Sequence, residues 1–331
     1  MPKTGLTSGQ ERPVDVAVYS IPMRTRFRGI TAREGMLIRG PSGWGEFSPF
    51  WDYDVAESKR WWPCAVEAAA GSWPAPVRDR IPVNCTVAAI DPESAQAVVR
   101  ASGCRTAKVK VAEPGQSLGD DLERVEAVRD ALGPGGAIRV DANGAWSIEE
   151  AIAAITALDR AAGGLEYVEQ PCRSLEEMAG VRLRIGVQIA ADESIRRAED
   201  PLRVAVVGAA DIAVLKVAPL GGVARALAVA EQCGLPVVVS SALETSVGIA
   251  AGIALAAALP ELPYACGLAT YALLDGDVCS EPLVAVDGFL PVRRVDPDLR
   301  ADLAADEVTT QRWYERLAAV HLPGTWRERT A

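Results

Sequence analysis

From about residue 82 onward, short apolar runs rich in β-branched residues alternate with Ala-rich segments whose apolar positions have helical spacing. Because side chains repeat every 2.0 residues in a strand and every 3.6 in a helix, the pattern predicts strand and helix in alternation. The predicted strands lie at 82–88, 106–112, 137–143, 165–171, 188–194, 211–217, 236–242 and 263–269. Eight such units predict an α/β fold of the (β/α)-barrel type. A doubly wound sheet is the alternative, but no G-x-G-x-x-G follows any run.

The helices between these strands have recognisable ends. Ser147 and Ser174 each precede a glutamate by three residues and an apolar helical pattern, which is typical of a capping box. Gly133, Gly163 and Gly234 stand where a left-handed residue commonly closes a helix. The strand and helix assignments therefore rest on boundaries as well as on periodicity.

The first 80 residues follow another pattern. Runs at 14–23, 29–40 and 43–50 predict three antiparallel strands with Gly and Pro turns, and 55–71 predicts a helix. We expect an α+β capping domain at 1–80, a barrel catalytic domain at 81–286, and a C-terminal segment at 287–331 that packs on the capping domain.

Composition narrows the function classes. The 331 residues carry a formal charge of −10, which argues against nucleic acid and anionic membranes as partners. The longest apolar stretch, 247–259, is too short to span a bilayer, and the N-terminus has no signal-peptide pattern, so a cytoplasmic protein is expected. Seven cysteines without C-x-x-C spacing indicate reduced, buried thiols. The single histidine, His321, nearly excludes His-based triads and zinc sites.

Charged residues end five consecutive predicted strands, where barrel enzymes place their catalytic groups. They are Lys108, Lys110, Asp141, Glu169, Asp192 and Lys216. Lys108 and Lys110 share one face of their strand, and Val109 and Val111 suit the helix layer on the other face, so we expect both lysines to point into the barrel.

One strand-end carboxylate is commonly a helix cap or the partner of a nearby cation. Three on adjacent strands supply the oxygen ligands of a hard divalent cation, with Mg²⁺ the default. Ammonium groups crowded near a cation have lowered pKa values, so one lysine can act as a base. That pairing suits removal of a proton α to a carboxylate, with the cation stabilising the resulting enediolate.

The ordered set K-V-K at 108–110, D-A-N at 141–143, Glu169, D-E-S at 192–194 and Lys216 resembles the muconate-lactonizing-enzyme subgroup of the enolase superfamily. Segments 240–248, 267–274 and 26–29 are most similar to the o-succinylbenzoate synthase family within it. The resemblance covers the whole chain and implies a (β/α)-barrel of enolase-superfamily type with an α+β capping domain. It also implies Mg²⁺-dependent dehydration of 2-succinyl-6-hydroxy-2,4-cyclohexadiene-1-carboxylate to o-succinylbenzoate in menaquinone biosynthesis, with Mn²⁺ a possible substitute.

The same resemblance implies roles for individual residues. Lys110 removes the α-proton and then assists loss of hydroxide from the same face, Lys216 is the cation on the opposite face, and Lys108 tunes Lys110 and contacts the substrate carboxylate. The metal ligands are Asp141, Glu169 and Asp192, the second-shell candidates are Asn143 and Glu193, and the substrate-binding candidates are Ser240, Ser241 and Arg28. Ser240 and Ser241 could instead cap the following helix. Arg24, Arg26 and Arg28 could form a mobile loop over the substrate or an ordinary solvated turn.

Three other functions stay open. An N-succinylamino acid racemase would use Lys110 and Lys216 as opposed base and acid, although Pro219 stands where some racemases of this type carry an arginine. A metal-independent aldolase would form a Schiff base at Lys216. A non-catalytic binding protein would leave six charged groups at one barrel mouth without a task.

Overall fold

The N-terminal part of the chain forms an antiparallel sheet in this computed structural model, which describes residues 16–197, 200, 202–298 and 300–320. Its strands, in the order β1-β2-β3, are β1 (Val16–Phe27), β2 (Ile30–Gly40) and β3 (Gly43–Phe47). The three predicted strands are confirmed. However, β1 runs on to Phe27, so the segment predicted as a mobile loop is mostly strand. Only Arg28 and Gly29 make the turn, and both have positive φ.

Two helices replace the single one predicted over 55–71: α1 (Val55–Lys59) and α2 (Trp62–Ala70). Pro63 lies in the first turn of α2. Proline has no N–H and its ring clashes with the carbonyl four residues earlier, so a continuous helix is interrupted there and a new one begins.

The central element is a parallel sheet, of which the described residues contain seven strands in the order β11 to β5. They are β5 (Cys85–Val87), β6 (Thr106–Lys110), β7 (Ala137–Asp141), β8 (Tyr167–Glu169), β9 (Ile189–Ala191), β10 (Ile212–Lys216) and β11 (Val237–Ser240). Just before it, β4 (Arg80–Pro82) pairs antiparallel with β12 (Phe289–Pro291). The α/β class is as the sequence predicts.

The eighth predicted strand, 263–269, is not a strand. Cys266 forms an isolated bridge with Val83, and Gly267 forms one with Ser240. Pro263 offers no N–H to a ladder, and Gly267 lies so close to Ser240 that a Cβ there would be 2.6 Å from the serine Oγ. Gly267 nevertheless donates to the Val239 carbonyl on β11, and Cys266 exchanges hydrogen bonds with Pro82 and Asn84, just before β5.

Helices follow the strands along the chain. They are α3 (Pro92–Ser102), α4 (Leu118–Leu132), α5 (Ile148–Ala162), α6 (Leu175–Arg182), α7 (Glu193–Arg196), α8 (Arg203–Val206), α9 (Val217–Leu220), α10 (Val223–Cys233), α11 (Ser246–Ala258) and α12 (Glu307–Val320). Both predicted capping boxes are present, and Gly133, Gly163 and Gly234 end their helices. No helix in the described ranges is both long and apolar enough to cross a bilayer.

Helix α12 packs against the N-terminal part of the chain. Trp313 is fully buried, with its ring edge-on to that of Phe47 at 6.1 Å, and Arg316 donates to the carbonyl of Phe50 at 2.6 Å. All seven cysteines, each within the described ranges, are buried and unpaired in disulfides, as expected. His321 lies outside the described residues.

Candidate active site

Strand register places the charged residues in two layers at one end of the parallel sheet. Lys110, Asp141 and Glu169 are direct neighbours on β6, β7 and β8. One layer below, Lys108, Arg139 and Tyr167 are neighbours in the same way. Because residues two apart share a face, both layers project to the same side of the sheet.

Lys108 joins two of the carboxylates. Its Nζ donates to Asp141 Oδ2 at 3.0 Å and to Glu169 Oε1 at 2.9 Å, and all three side chains are buried. Burial lowers the pKa of Lys108, but Asp141 and Glu169 outweigh this effect and hold the pKa well above its ordinary value. The lowering of lysine pKa values expected beside a bound cation stays a prediction, since here the Lys108 amine faces the carboxylates of Asp141 and Glu169.

Lys110 lies at the upper layer, between Asp141 Oδ2 and Asn143 Oδ1, each 2.6 Å from its Nζ. Val109 and Val111 are buried on the opposite face, so the inward orientation predicted for both lysines is confirmed. Burial alone raises the pKa of Asp141, but Lys108 and Lys110 lower it well below its usual range. Asp141 therefore stays ionised beside the two lysines.

Asp192 has cationic partners of its own. Lys216 Nζ donates to its Oδ2 at 2.7 Å and Arg196 Nε to its Oδ1 at 2.9 Å, while Arg196 also contacts Glu193 Oε1 at 2.6 Å. Burial raises the pKa of Asp192, but Arg196 and Lys216 together bring it down to about 2. Arg196 further donates to the Tyr53 hydroxyl, which ties this corner to the segment before α1.

Glu169 behaves differently from Asp141 and Asp192. It is buried, and among the described residues its one cationic hydrogen-bond partner is Lys108. Burial, together with the negative charge of Asp141, raises the pKa of Glu169 to about 7. The strand-end carboxylates thus occupy unequal electrostatic environments.

A cavity of about 250 Å³ opens over this end of the sheet. Its lining includes Lys110 and Lys216 from two strands, Asn143, and Arg28 from the turn between β1 and β2. The ring centroid of Phe27, another lining residue, lies 5.4 Å from Lys110 Nζ. The two lysines therefore face one enclosed volume, whereas Lys108 lies beneath it among the carboxylates.

The side chain of Arg28 is fixed by contacts with two other residues of the chain, Asp52 and Phe50. It forms two hydrogen bonds to Asp52, at 2.8 and 3.0 Å, and its guanidinium lies 4.0 Å from the ring centroid of Phe50. A turn residue paired in this way closes one side of the cavity. Its contact with substrate stays a prediction, and Arg26 lines the same side.

The pocket loop, residues 241–245, forms another wall, to which Ser241, Ala242 and Leu243 contribute. Ser241 Oγ lies 2.9 Å from Thr270 Oγ1, and Ser240 Oγ lies 3.5 Å from the Gly267 carbonyl. Helix α11 begins at Ser246 with Thr245 as its N-cap. The alternative in which Ser240 or Ser241 caps this helix is therefore wrong, because residues 242–245 separate Ser241 from the first residue of the helix.

Comparison with known proteins agrees with this architecture. The family model described as enolase C-terminal domain-like matches residues 92–298, and the one described as enolase N-terminal domain-like matches 18–69. The chain belongs to the enolase superfamily. Its sequence is 64% identical over 301 residues to an o-succinylbenzoate synthase of Thermobifida fusca, and the alignment covers 91% of this chain and 94% of the relative.

Further comparisons extend the result. An o-succinylbenzoate synthase of Mycolicibacterium smegmatis is 56% identical over 307 residues, covering 92% of this chain and 94% of the relative. The solved muconate lactonizing enzyme of Pseudomonas putida shares the fold, with a TM-score of 0.72 at 22% identity over 91% of this chain and 98% of its own. The predicted membership in this superfamily is confirmed.

Superfamily membership is consistent with a divalent metal. In the described ranges, no group of three or more Asp, Glu, Cys or His side chains is already arranged to hold one ion, because lysine and arginine nitrogens lie between the carboxylates. The donor chemistry nevertheless fits a hard cation, since the side chains supply buried carboxylate oxygens. Glu193 Oε2, beside Asn143, is buried without a hydrogen-bond partner.

Several residues of this region escaped the sequence analysis. Arg196 lies four residues after Asp192, at the spacing of one helical turn, and this spacing was the available signal for it. Arg33 and Glu46 contact the pocket loop from the N-terminal sheet, and no local pattern indicates such a contact.

Proposed function

We propose that this chain catalyses the dehydration of 2-succinyl-6-hydroxy-2,4-cyclohexadiene-1-carboxylate to o-succinylbenzoate. The observation that carries the proposal is the 64% identity to an o-succinylbenzoate synthase over nearly the whole of both chains. The cavity that Lys110 and Lys216 face together supports the same chemistry. Loss of water from a ring carboxylate needs one base, one acid and compensation of the developing negative charge.

Lys110 is the proposed base and acid. The C–H bond α to the ring carboxylate breaks and its proton moves to Lys110 Nζ, after which the C–O bond breaks and the same proton leaves with the hydroxide as water. No net oxidation occurs, and the ring becomes aromatic. Asp141 and Asn143 accept hydrogen bonds from Lys110, which orients the remaining nitrogen position towards the cavity.

Lys216 is proposed as the cation on the other face of the ring, where Asp192 orients it. Lys108 is proposed to hold Asp141 and Glu169 at the spacing observed and to influence Lys110 through Asp141. Asn143 and Glu193 are proposed to support the lysines and metal ligands through hydrogen bonds, since Asn143 contacts both Lys110 and Glu193. Ser240, Ser241 and Arg28 are proposed to contact substrate. Of these three, Ser241 and Arg28 line the cavity.

Asp141, Glu169 and Asp192 are the residues that would hold the divalent cation, which we propose is Mg²⁺ with Mn²⁺ as a substitute. When bound, the cation supplies positive charge for the oxygen that becomes anionic on proton loss. Binding requires the Lys108 and Lys216 amines to share or release carboxylate oxygens that they now contact.

We also infer that the parallel sheet closes into the predicted barrel, with a capping domain at 1–80, a barrel at 81–286 and a C-terminal segment at 287–331. Support comes from the eighth segment, which joins β11 to the residues that lead directly into β5. Cys266 donates to the Pro82 carbonyl at 2.7 Å, and Gly267 donates to the Val239 carbonyl at 2.8 Å.

An N-succinylamino acid racemase is the second candidate, because both lysines face the same cavity and could act on opposite faces of one carbon. The deciding experiment offers the purified protein, with Mg²⁺, the cyclohexadiene substrate and a panel of N-succinylamino acids separately. We expect o-succinylbenzoate formation to be the faster reaction. Turnover of the amino acids alone would replace the proposal with the racemase.

A further inference from the structure

The pocket loop contains a residue in an unusual backbone conformation. Leu243 has a φ of +62°, in the left-handed region that a leucine rarely adopts, and it is one of the residues that line the cavity. Such conformations persist where the surroundings determine them strongly, and they concentrate at functional sites. We therefore expect specific contacts to hold the backbone at Leu243.

Arg33, on strand β2, provides these contacts. Its Nε donates to the Leu243 carbonyl at 2.9 Å and its Nη2 to the Ala242 carbonyl at 3.2 Å. The side chain is only 2% exposed and also donates to Ser48 Oγ at 2.9 Å. Two successive carbonyls of the cavity wall are thus bound by one rigid guanidinium from the N-terminal sheet.

Glu46, on β3, holds the far end of the same loop. Its Oε2 accepts from the backbone N–H of Thr245 at 3.1 Å and of Gly248 at 3.0 Å. Ser48 donates to Glu46 Oε1 at 2.7 Å, so Ser48 connects Glu46 with Arg33. The pocket loop is held by one buried polar network, whose cation meets carbonyls and whose anion meets amides.

We propose that Arg33 is a positioning residue for substrate binding, acting through the Ala242 and Leu243 carbonyls to fix the cavity wall that Ser241, Ala242 and Leu243 form. The inference rests on the proposed function for its substrate. The wall contains Ser241, which together with Ser240 is proposed to bind the succinyl carboxylate, a part of the substrate that does not react. Loss of its positioning therefore weakens binding of ground state and transition state alike.

The chain offers a matched control in Arg78. This arginine likewise donates to backbone carbonyls, those of Leu259 at 2.7 Å and Pro260 at 3.2 Å, but it does so at the opposite end of α11. Arg78→Met removes a comparable set of hydrogen bonds without touching the pocket loop. A purely structural effect of losing an arginine that binds backbone carbonyls should appear in both variants.

The experiment compares Arg33→Met, Arg33→Lys and Arg78→Met in the dehydration assay with saturating Mg²⁺. For Arg33→Met we expect KM to rise at least about tenfold with kcat within about threefold, the pattern of lost uniform binding. Arg33→Lys retains the charge and should give a smaller rise in KM, and it decides the matter if Arg33→Met does not fold. Arg78→Met should leave KM unchanged. A KM for dehydration within about twofold of the parent value in both Arg33 variants would overturn the proposal.

Hydrogen exchange of the free protein separates this inference from the proposed function. We expect faster exchange of the amides at 242–248 in Arg33→Lys than in Arg78→Met, together with a higher Kd for o-succinylbenzoate measured by calorimetry. If the parent protein does not dehydrate the substrate, the proposed function fails, and these two measurements still decide the role of Arg33. Unchanged exchange and unchanged Kd would refute that role.

Discussion

Two regions of the molecule are built in different ways: the pocket loop and the strand-end cluster, which comprises Lys108, Lys110, Asp141, Glu169, Asp192 and Lys216. In the cluster, Lys110, Asp141 and Glu169 are adjacent because three neighbouring parallel strands are in register. The pocket loop takes its shape from Arg33, about two hundred residues earlier in the sequence. Regular elements thus place the reacting groups, and long-range polar contacts shape the cavity around them. Damage to the first should remove chemistry, whereas damage to the second should alter binding.

Loss of the Lys110 amine is the strongest test of this difference. Lys110→Met should reduce kcat for dehydration roughly 10⁴-fold, because the variant lacks both the base and the acid. The fold should remain, since Lys110 lies at the cavity rather than beneath it. Steady-state kinetics with Mg²⁺ measures the effect, and Lys59→Met, at an exposed lysine, is the control. Full activity of Lys110→Met would remove this residue from the mechanism.

Lys108 should respond differently, although it lies only two residues away. Lys108→Met leaves Asp141 and Glu169 buried without their shared cation, and removing one partner of a buried ion pair costs roughly 3–5 kcal/mol. Urea unfolding at pH 7 without added divalent cation should show this loss of stability, with a smaller loss for Lys110→Met. Equal stability of the two variants would mean that the lower layer has no special structural role.

Much of the cluster could be predicted from sequence because strand periodicity is a local property. Val109 and Val111 indicate which face of β6 meets the helices, so the direction of Lys108 and Lys110 follows. The hydrogen bonds among these groups could not be predicted, because they depend on how side chains compete for the same oxygen atoms. Lys108, for example, has a raised pKa because the negative charges of Asp141 and Glu169 outweigh the effect of burial.

The fold shows the same division. Seven predicted strands and both capping boxes depend on short patterns and are present among the described residues. The interruption at Pro63 could also have been predicted from sequence, because a proline there is visible and its effect is local. In contrast, nothing near Leu243 in sequence indicates its positive φ, since Arg33 contacts the loop only after the two sheets come together.

Glu244 tests the electrostatics of the pocket loop. Burial, followed by the negative charge of Glu46, raises the pKa of Glu244 from 4.5 to about 7. The folded state therefore binds this proton more tightly than the unfolded state does, and stability falls as pH rises from about 4.5 to 7. Glu244→Gln should abolish up to about 3 kcal/mol of this decline.

Urea unfolding of the parent protein and Glu244→Gln at pH 5 and pH 8 gives the required comparison. The variant should gain stability relative to the parent at pH 8 and little at pH 5. Glu261→Gln, at an exposed glutamate, is the control for the change of charge. A constant difference between parent and Glu244→Gln across this range would contradict the buried, protonated carboxyl.

The smallest expected effect distinguishes two adjacent serines. Ser241 lines the cavity, whereas Ser240 contacts the Gly267 carbonyl. Ser241→Ala should raise KM for dehydration several-fold, the value of one neutral hydrogen bond, and Ser240→Ala should raise KM less, because Ser240 is not among the residues that line the cavity. The reverse order would show that the direct substrate contact lies nearer the strand end than the cavity indicates.

Asp141, Glu169 and Asp192 are proposed to hold a divalent cation that dehydration requires. The most direct measurement follows the rate of o-succinylbenzoate formation after the purified protein is stripped with a chelator and Mg²⁺ is titrated back. The account predicts no activity without the cation and saturable recovery with it, and a much weaker response in Asp141→Asn. A rate independent of both chelator and Mg²⁺ would contradict it.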